Sequence, residues 1–173
     1  IAGKGVESGV AKADNLHKRL GLHSTLDLLG EEVFLREDVE ATVQVYFRMI
    51  EALKDRPYAS ISLKPTQIGI NQSLAYCQDN LRRITAAATV HGIRITLDME
   101  DRTLTDASLL MYKAIRSEFD NIGIVLQSRD GGAKFNIVRG GGRAALTDIA
   151  LLSDGHWLLP SDGGMHRHDP TKV

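Results

Sequence analysis

The sequence predicts an α/β protein built as the N-terminal half of a (β/α)8, TIM-like barrel, followed by an irregular, glycine-rich C-terminal tail. Three observations predict it. Apolar, β-branched runs end abruptly in polar residues: ASISLK (59–64) in Lys64, the run from Ile93 through Ile95 and Leu97 in Asp98, and IGIVLQ (122–127) in Gln127. Polar groups that begin where strands stop lie at the mouth of a parallel sheet, where α/β proteins place their chemistry. The starts of these runs are about 30 residues apart, the length of one βαβ unit. No G-x-G-x-x-G follows a strand and no G-x-x-x-x-G-K-[ST] occurs, so the signatures of an open nucleotide-binding sheet are missing and the barrel is preferred.

The elements follow in order. Residues 1–5 are loop-like. An amphipathic helix starts at Ser8, carries Val10, Ala13, Leu16 and Leu20, and stops at Gly21. LHSTLDLL (22–29) is the first strand, closed by Gly30. Val39, Val43, Tyr46, Phe47, Ile50 and Leu53 keep a 3.6-residue period, so 39–54 is a helix that Arg56-Pro57 ends. Strand 59–64 runs into Pro65, which cannot donate to a ladder. Asn71 caps a helix whose apolar face is Leu74, Cys77, Leu81, Ile84 and Ala88, and Gly92 terminates it. The third strand leads into the carboxylates Asp98, Glu100 and Asp101; Thr105 then caps a helix showing Leu109, Tyr112, Ile115 and Phe119 before the last strand, 122–127.

Beyond Ser128 the texture changes: eight of the sixteen glycines and three of the six histidines fall there. Ala144 to Leu152 can form two helical turns, and Ser153 to Val173 reads as loop or disorder. His156, His166 and His168 have no supporting carboxylate or cysteine pattern, so a solvated histidine-rich tail is preferred to a metal site.

Composition sets limits on class. The chain has 173 residues, enough for one domain, with 43% hydrophobic and 25% charged residues and a net charge of −1. That charge gives no electrostatic footprint for nucleic acid or an anionic membrane. The single cysteine, Cys77, excludes an internal disulfide, suits a reducing compartment, and lies on an apolar helix face where a packed thiol is expected. No apolar run approaches the ~20 residues of a membrane span. A first residue of Ile1 with no leader behind it suggests an internal piece of a longer protein.

Four segments, STLDLLGEEV (24–33), ISLKPTQIGI (61–70), ITLDMEDRTLTD (95–106) and IGIVLQS (122–128), together resemble the proline dehydrogenases, flavoenzymes with a (β/α)8-barrel catalytic domain. The resemblance spans residues 1–128 as a partial barrel and leaves 129–173 as a divergent or disordered tail. It implies oxidation of L-proline to Δ1-pyrroline-5-carboxylate with FAD as hydride acceptor and a quinone or other acceptor reoxidising the flavin. It also implies a cytoplasmic enzyme with peripheral contact at the inner membrane. By the same resemblance Lys64 contacts the substrate carboxylate, Asp98 joins the polar network beside flavin and substrate, and Gln127 faces the flavin's pyrimidine edge, where a primary amide can donate and accept. The residues alone leave blander readings open: a solvated lysine at Lys64, an Asx turn at Asp98, a strand-end cap at Gln127. Glu100 and Asp101 read as loop charges, with a Mg²⁺ site of Asp98, Glu100 and Asp101 as the sharper alternative.

After Gln127 the family continues to a short run ending in arginine, further strands and a helix with paired arginines. Here SRDGGAKFNIVRGGG follows; only Arg129 can be in register. A deletion or a shift of reading frame would account for so abrupt a change. The expectation is a chain without proline oxidation activity: four strands leave two unpaired edges, and apolar side chains meant for the opposite strands would face water. A noncatalytic half-barrel that folds only with a partner is the competing reading.

Overall fold

The computed structural model describes residues 5–30, 32–125, 150–151, 157–161 and 164–168. Residues 1–124 form one compact unit and 125–173 a second. In the first, β1 (Ser24–Asp27), β2 (Ala59–Leu63), β3 (Ile95–Leu97) and β4 (Ile122–Ile124) form a parallel sheet in that order. Helices α1 (Val6–Leu20), α2 (Arg36–Leu53), α3 (Leu74–Val90) and α4 (Thr105–Arg116) alternate with the strands. This is the expected β-α-β-α-β-α-β order behind a leading helix.

The period-two alternation of the strands divides the sheet into two faces. Ile61, Leu63, Ile95, Leu97, Ile122 and Ile124 belong to one buried core with Val39, Val43 and Leu53 of α2, Cys77, Leu81 and Ile84 of α3, and Met111 and Ile115 of α4. At the intervening positions stand Thr25, Asp27, Ser60, Ser62, Thr96 and, just past the strands, Lys64 and Asp98. The Thr25 and Ser60 hydroxyls meet at 2.9 Å across β1 and β2, which shows these positions sharing a face. The expectation of stranded apolar side chains is therefore corrected. The strands carry hydroxyls and charges on the face away from the helices, while exposed large hydrophobics such as Leu29, Phe34, Leu35 and Val90 lie in loops and helix ends.

Several boundaries differ from expectation for local reasons. Helix α1 starts from Gly5, not Ser8, whose hydroxyl donates to the Gly5 carbonyl from inside the helix at 3.0 Å. Ser73, not Asn71, caps α3, because its hydroxyl accepts the Tyr76 N–H at 3.2 Å while Asn71 reaches the Val33 carbonyl. Asp101 rather than Thr105 caps the chain into α4, accepting the Thr103 N–H at 2.8 Å at the head of a short 3₁₀ turn, Arg102–Leu104. Strand β1 ends at Asp27, because Gln67 draws the Leu28 and Gly30 carbonyls out of any ladder. Gly21 and Gly92 end their segments in the left-handed region, as expected, at φ 67° and 65°.

The second unit holds a three-stranded antiparallel sheet of β5 (Ala150–Leu151), β6 (Trp157–Ser161) and β7 (Gly164–His168). It replaces the expected helix at Ala150 and Leu151, the rest of 144–152 lying outside the described residues, and it overturns the loop expected at 157–161 and 164–168. The overlooked signal is Asp162-Gly163, which lies between the paired Ser161 and Gly164; Asp-Gly between two strands is a strong hairpin indicator. Among the described residues no helix is long and apolar enough to cross a membrane.

Gly69 adopts φ +108°, and a Cβ there would lie 2.6 Å from the Tyr76 ring. Gly69→Ala combines a left-handed conformation that an L side chain resists with a clash in a packed site. It is expected to lower the stability measured by urea unfolding by about 2–4 kcal/mol.

Candidate active site

Because Leu63 pairs with Leu97 in parallel register, the next residues of the two strands, Lys64 and Asp98, emerge side by side at the carboxyl end of the sheet. The Lys64 ammonium donates to Asp27 Oδ1 at 2.7 Å and lies 3.9 Å from Asp98 Oδ2. Lys64 is only 9% exposed, so the solvated-lysine reading fails and the cation is one that its partners hold in a partly dry site. Burial raises the Asp98 carboxyl above its ordinary pKa, opposed by a hydrogen bond from Ser62 and by the Lys64 charge, with Asp27 adding to the rise.

The backbone that carries Lys64 is fixed by side chains from neighbouring loops. Pro65–Gln67 turns directly after it as a 3₁₀ segment. The Gln67 amide, 2% exposed, donates to the Leu28 carbonyl at 2.7 Å and to that of Gly30, and its Oε1 accepts from the buried Tyr46 hydroxyl. Thr66 gives both its N–H, at 2.9 Å, and its hydroxyl to the Glu100 carboxylate. The exits of β1, β2 and β3 are thereby tied together around the lysine. Burial, with the charges of Asp27, Asp98 and Glu100, pushes the Tyr46 phenol far above its usual value and keeps it a neutral donor.

Of the residues expected from sequence, Lys64 and Asp98 are brought together. Gln127, like Arg129 and His156, lies outside the described residues, and of His166 and His168 only the strand backbone is described. Glu100 and Asp101 do not converge with Asp98. One clamps Thr66 and the other caps the following turn, and no group of three or more His, Cys, Asp or Glu gathers among the described residues. The Mg²⁺ alternative loses its geometry. Cys77 is the packed thiol expected, donating to the Pro65 carbonyl at 3.6 Å and pushed up to about 12 by burial and then by Glu100.

Asp27 is the residue that sequence reasoning missed. Reading 22–29 as one continuous strand placed it mid-strand, although a run that stops at STLD ends in a charged residue just as the β2 and β3 runs do.

Residues 10–136 match the family model described as proline dehydrogenase. The chain belongs to this family. It is 31% identical over 129 residues to proline dehydrogenase 1 of Bacillus subtilis, covering 74% of this chain and 42% of that protein. It is 34% identical over 137 residues to the proline dehydrogenase of Deinococcus radiodurans, covering 74% and 43%. The chain thus spans about two fifths of the length of these curated relatives. In fold it is similar to proline utilization A from Bdellovibrio bacteriovorus inactivated by N-propargylglycine, with a TM-score of 0.68, 19% identity and coverage of 75% of this chain and 16% of that one. Proline utilization A of Bradyrhizobium japonicum follows with a TM-score of 0.59 at 18% identity, over 73% of this chain and 15% of that one. The parallel β/α arrangement is that of the proline dehydrogenase family's barrel neighbours.

The Asp98 shift has a definite sign. A carboxyl whose pKa is raised on folding binds its proton more tightly when folded, so its contribution favours folding at low pH and is lost as pH rises through the raised value. Asp98→Asn cannot ionise and is expected to be more stable than the parent at pH 7, where the buried carboxylate is charged. The difference should disappear below the ordinary aspartate pKa of 3.8, as urea unfolding at the two pH values would show.

Proposed function

We propose that this chain supplies the first half of the active site of an FAD-dependent proline dehydrogenase, which oxidises L-proline to Δ1-pyrroline-5-carboxylate. The observation that carries the reading is the nearly buried Lys64 ammonium at the mouth of a parallel sheet, held between two carboxylates. An amino acid's carboxylate entering a partly desolvated site needs such a cation. In this reading Lys64 binds the substrate carboxylate, Asp98 belongs to the polar network around substrate and flavin, and Gln127 offers its amide to the flavin's pyrimidine edge. The donor set suits that group: the Lys64 ammonium, now held by Asp27 and Asp98, can face the electron-rich carbonyls of a flavin as well as a carboxylate. When bound, FAD accepts the hydride from proline, and a quinone or another acceptor reoxidises it. Residues 1–128 are then the partial barrel, and 129–173 are the divergent tail of the sequence. A quinone acceptor would bring the parent enzyme to the inner membrane as a peripheral, cytoplasmic protein, and the buried reduced thiol of Cys77 agrees with that compartment.

By itself the chain is proposed to be inactive, because a four-strand sheet leaves the ladder groups of β1 and β4 open at its two edges among the described residues. Purified and mixed with FAD, it is expected to retain no stoichiometric flavin and to show no proline-dependent reduction of a dye. A folded monomer with flavin and turnover would overturn this. Supplying in trans the portion of the Bacillus subtilis relative beyond the matched stretch is expected to bring both flavin absorbance and turnover, and Lys64→Met is expected to abolish turnover in that mixture. If the mixture binds flavin but ignores proline, the assigned substrate is wrong.

A further inference from the structure

Resting on the reading of Lys64 as the cation of the site, we infer that Asp27 is its positioning residue. Asp27, and not Asp98, draws the Lys64 ammonium back over the face of the sheet away from the helices and holds it there before any substrate arrives. The strand register sets the geometry. Asp27 pairs with Ser62 across β1 and β2, and Ser62 and Lys64, two residues apart, share a face. Asp27 is therefore the diagonal neighbour of Lys64, set back toward the strand interior, at a separation that a long side chain can span. Asp98 follows Leu97, which pairs with Leu63, so it stands level with Lys64 at the mouth of the sheet. The distances divide the two carboxylates accordingly. The ammonium donates to Asp27 Oδ1 at 2.7 Å, whereas its 3.9 Å separation from Asp98 Oδ2 is that of an ion pair beyond hydrogen-bond reach.

A lysine at the end of a strand ordinarily carries its ammonium out to water on a flexible four-carbon stem. Here the Lys64 side chain is 11% exposed and that of Asp27 47% exposed, so the lysine is the partner that bends and the acid is the one that stays at the surface. Asp27 can act as the fixed end because its own place comes from the backbone. It closes the β1 ladder, and just beyond it Gln67 takes the carbonyls of Leu28 and Gly30. Asp98 is engaged otherwise: it accepts from the Ser62 hydroxyl, and its N–H donates to the Leu63 carbonyl at 2.8 Å. The two acids therefore have different work. Asp27 fixes where the positive charge stands, while Asp98 keeps its oxygens clear of the ammonium's direct hydrogen bond. A cation already oriented needs no rearrangement when an anion reaches it, so Asp27 acts on the reaction through Lys64 without touching a reacting atom.

The strand ends that set this geometry all belong to the 173-residue chain, so the test uses that chain and needs no ligand. Lysine side chains are labelled with ¹⁵N at Nζ and their ammonium N–H correlations are recorded. An ammonium held by a buried hydrogen bond exchanges its protons slowly enough to be seen, whereas exchange with water erases the signal of an exposed one. Lys54, paired with Glu51 but with 46% of its side chain exposed, is the internal reference for the second case. The Lys64 correlation, assigned with Lys64→Arg, is expected in the parent chain. It should disappear in Asp27→Ala and in Asp27→Ser, whose urea midpoints should stay close to the parent's because the lost side chain is half-exposed. Asp27→Glu, which returns a carboxylate, is expected to restore it, and Asp98→Asn to leave it in place. A Lys64 correlation that survives in both Asp27→Ala and Asp27→Ser overturns the inference. So does one lost in Asp98→Asn as readily as in those two, or one missing from the parent. Each of these outcomes leaves the reading of Lys64 as the carboxylate-binding cation to its own test, the turnover lost in Lys64→Met.

Discussion

One buried amide holds the mouth of the sheet together. Gln67 is a polar side chain almost wholly removed from water, and such a group is tolerable only when its hydrogen bonds are satisfied. It meets that demand by donating to the carbonyls that follow β1 and accepting from Tyr46 of α2, so its own satisfaction fixes the loop after β1 against the turn after β2. The turn in question begins one residue after Lys64. The position of the cation is therefore set by the hydrogen-bond requirements of a neighbour that carries no charge. Glu100 adds the third strand to the arrangement through Thr66.

The elements legible in the sequence were those written in long periodic patterns. The apolar faces of α2 and α3 recur over four or more turns, and the predicted Val39, Val43, Tyr46, Ile50, Leu53, Cys77, Leu81, Ile84 and Ala88 are buried, while Leu74 is exposed and Met49, Asn80 and Thr85 are buried without having been expected. Caps were harder, because the decision among neighbouring candidates turns on a single hydrogen bond. Asn71, Ser73, Asp101 and Thr105 are all good capping types, and only the fold determines that Asn71 is drawn to Val33 and that Asp101 acts through an intervening 3₁₀ turn.

The site was half legible for a related reason. Lys64 and Asp98 end apolar runs, and parallel strands carry their ends to one side, so their meeting follows from pattern alone. Asp27 was hidden because Leu28 and Leu29 extend the apolar run past the point where the strand stops, and the cause of that stop, the amide of Gln67, comes 40 residues later in the chain. A contact so distant in sequence leaves no local trace. The antiparallel sheet of the second unit was missed although Asp162-Gly163 is a local signal, since a glycine-rich context makes every dipeptide of that kind look like loop.

The hydroxyl-lined face of the sheet bears on how such a chain comes into being. A protein is made from its N-terminus at roughly 5–20 residues per second, so in a longer relative the first four strands leave the ribosome several seconds before the last ones exist to pair with them. Apolar strands presenting bare leucine and valine on both faces would invite collapse or association during that wait. Here the face that closure would enclose carries the hydroxyls of Thr25, Ser60, Ser62 and Thr96 in place of bare aliphatic side chains. The composition of a barrel's interior thus also sets how long its first half can remain safely in solution, and the order of synthesis becomes a selective pressure on residues usually explained by the finished fold alone.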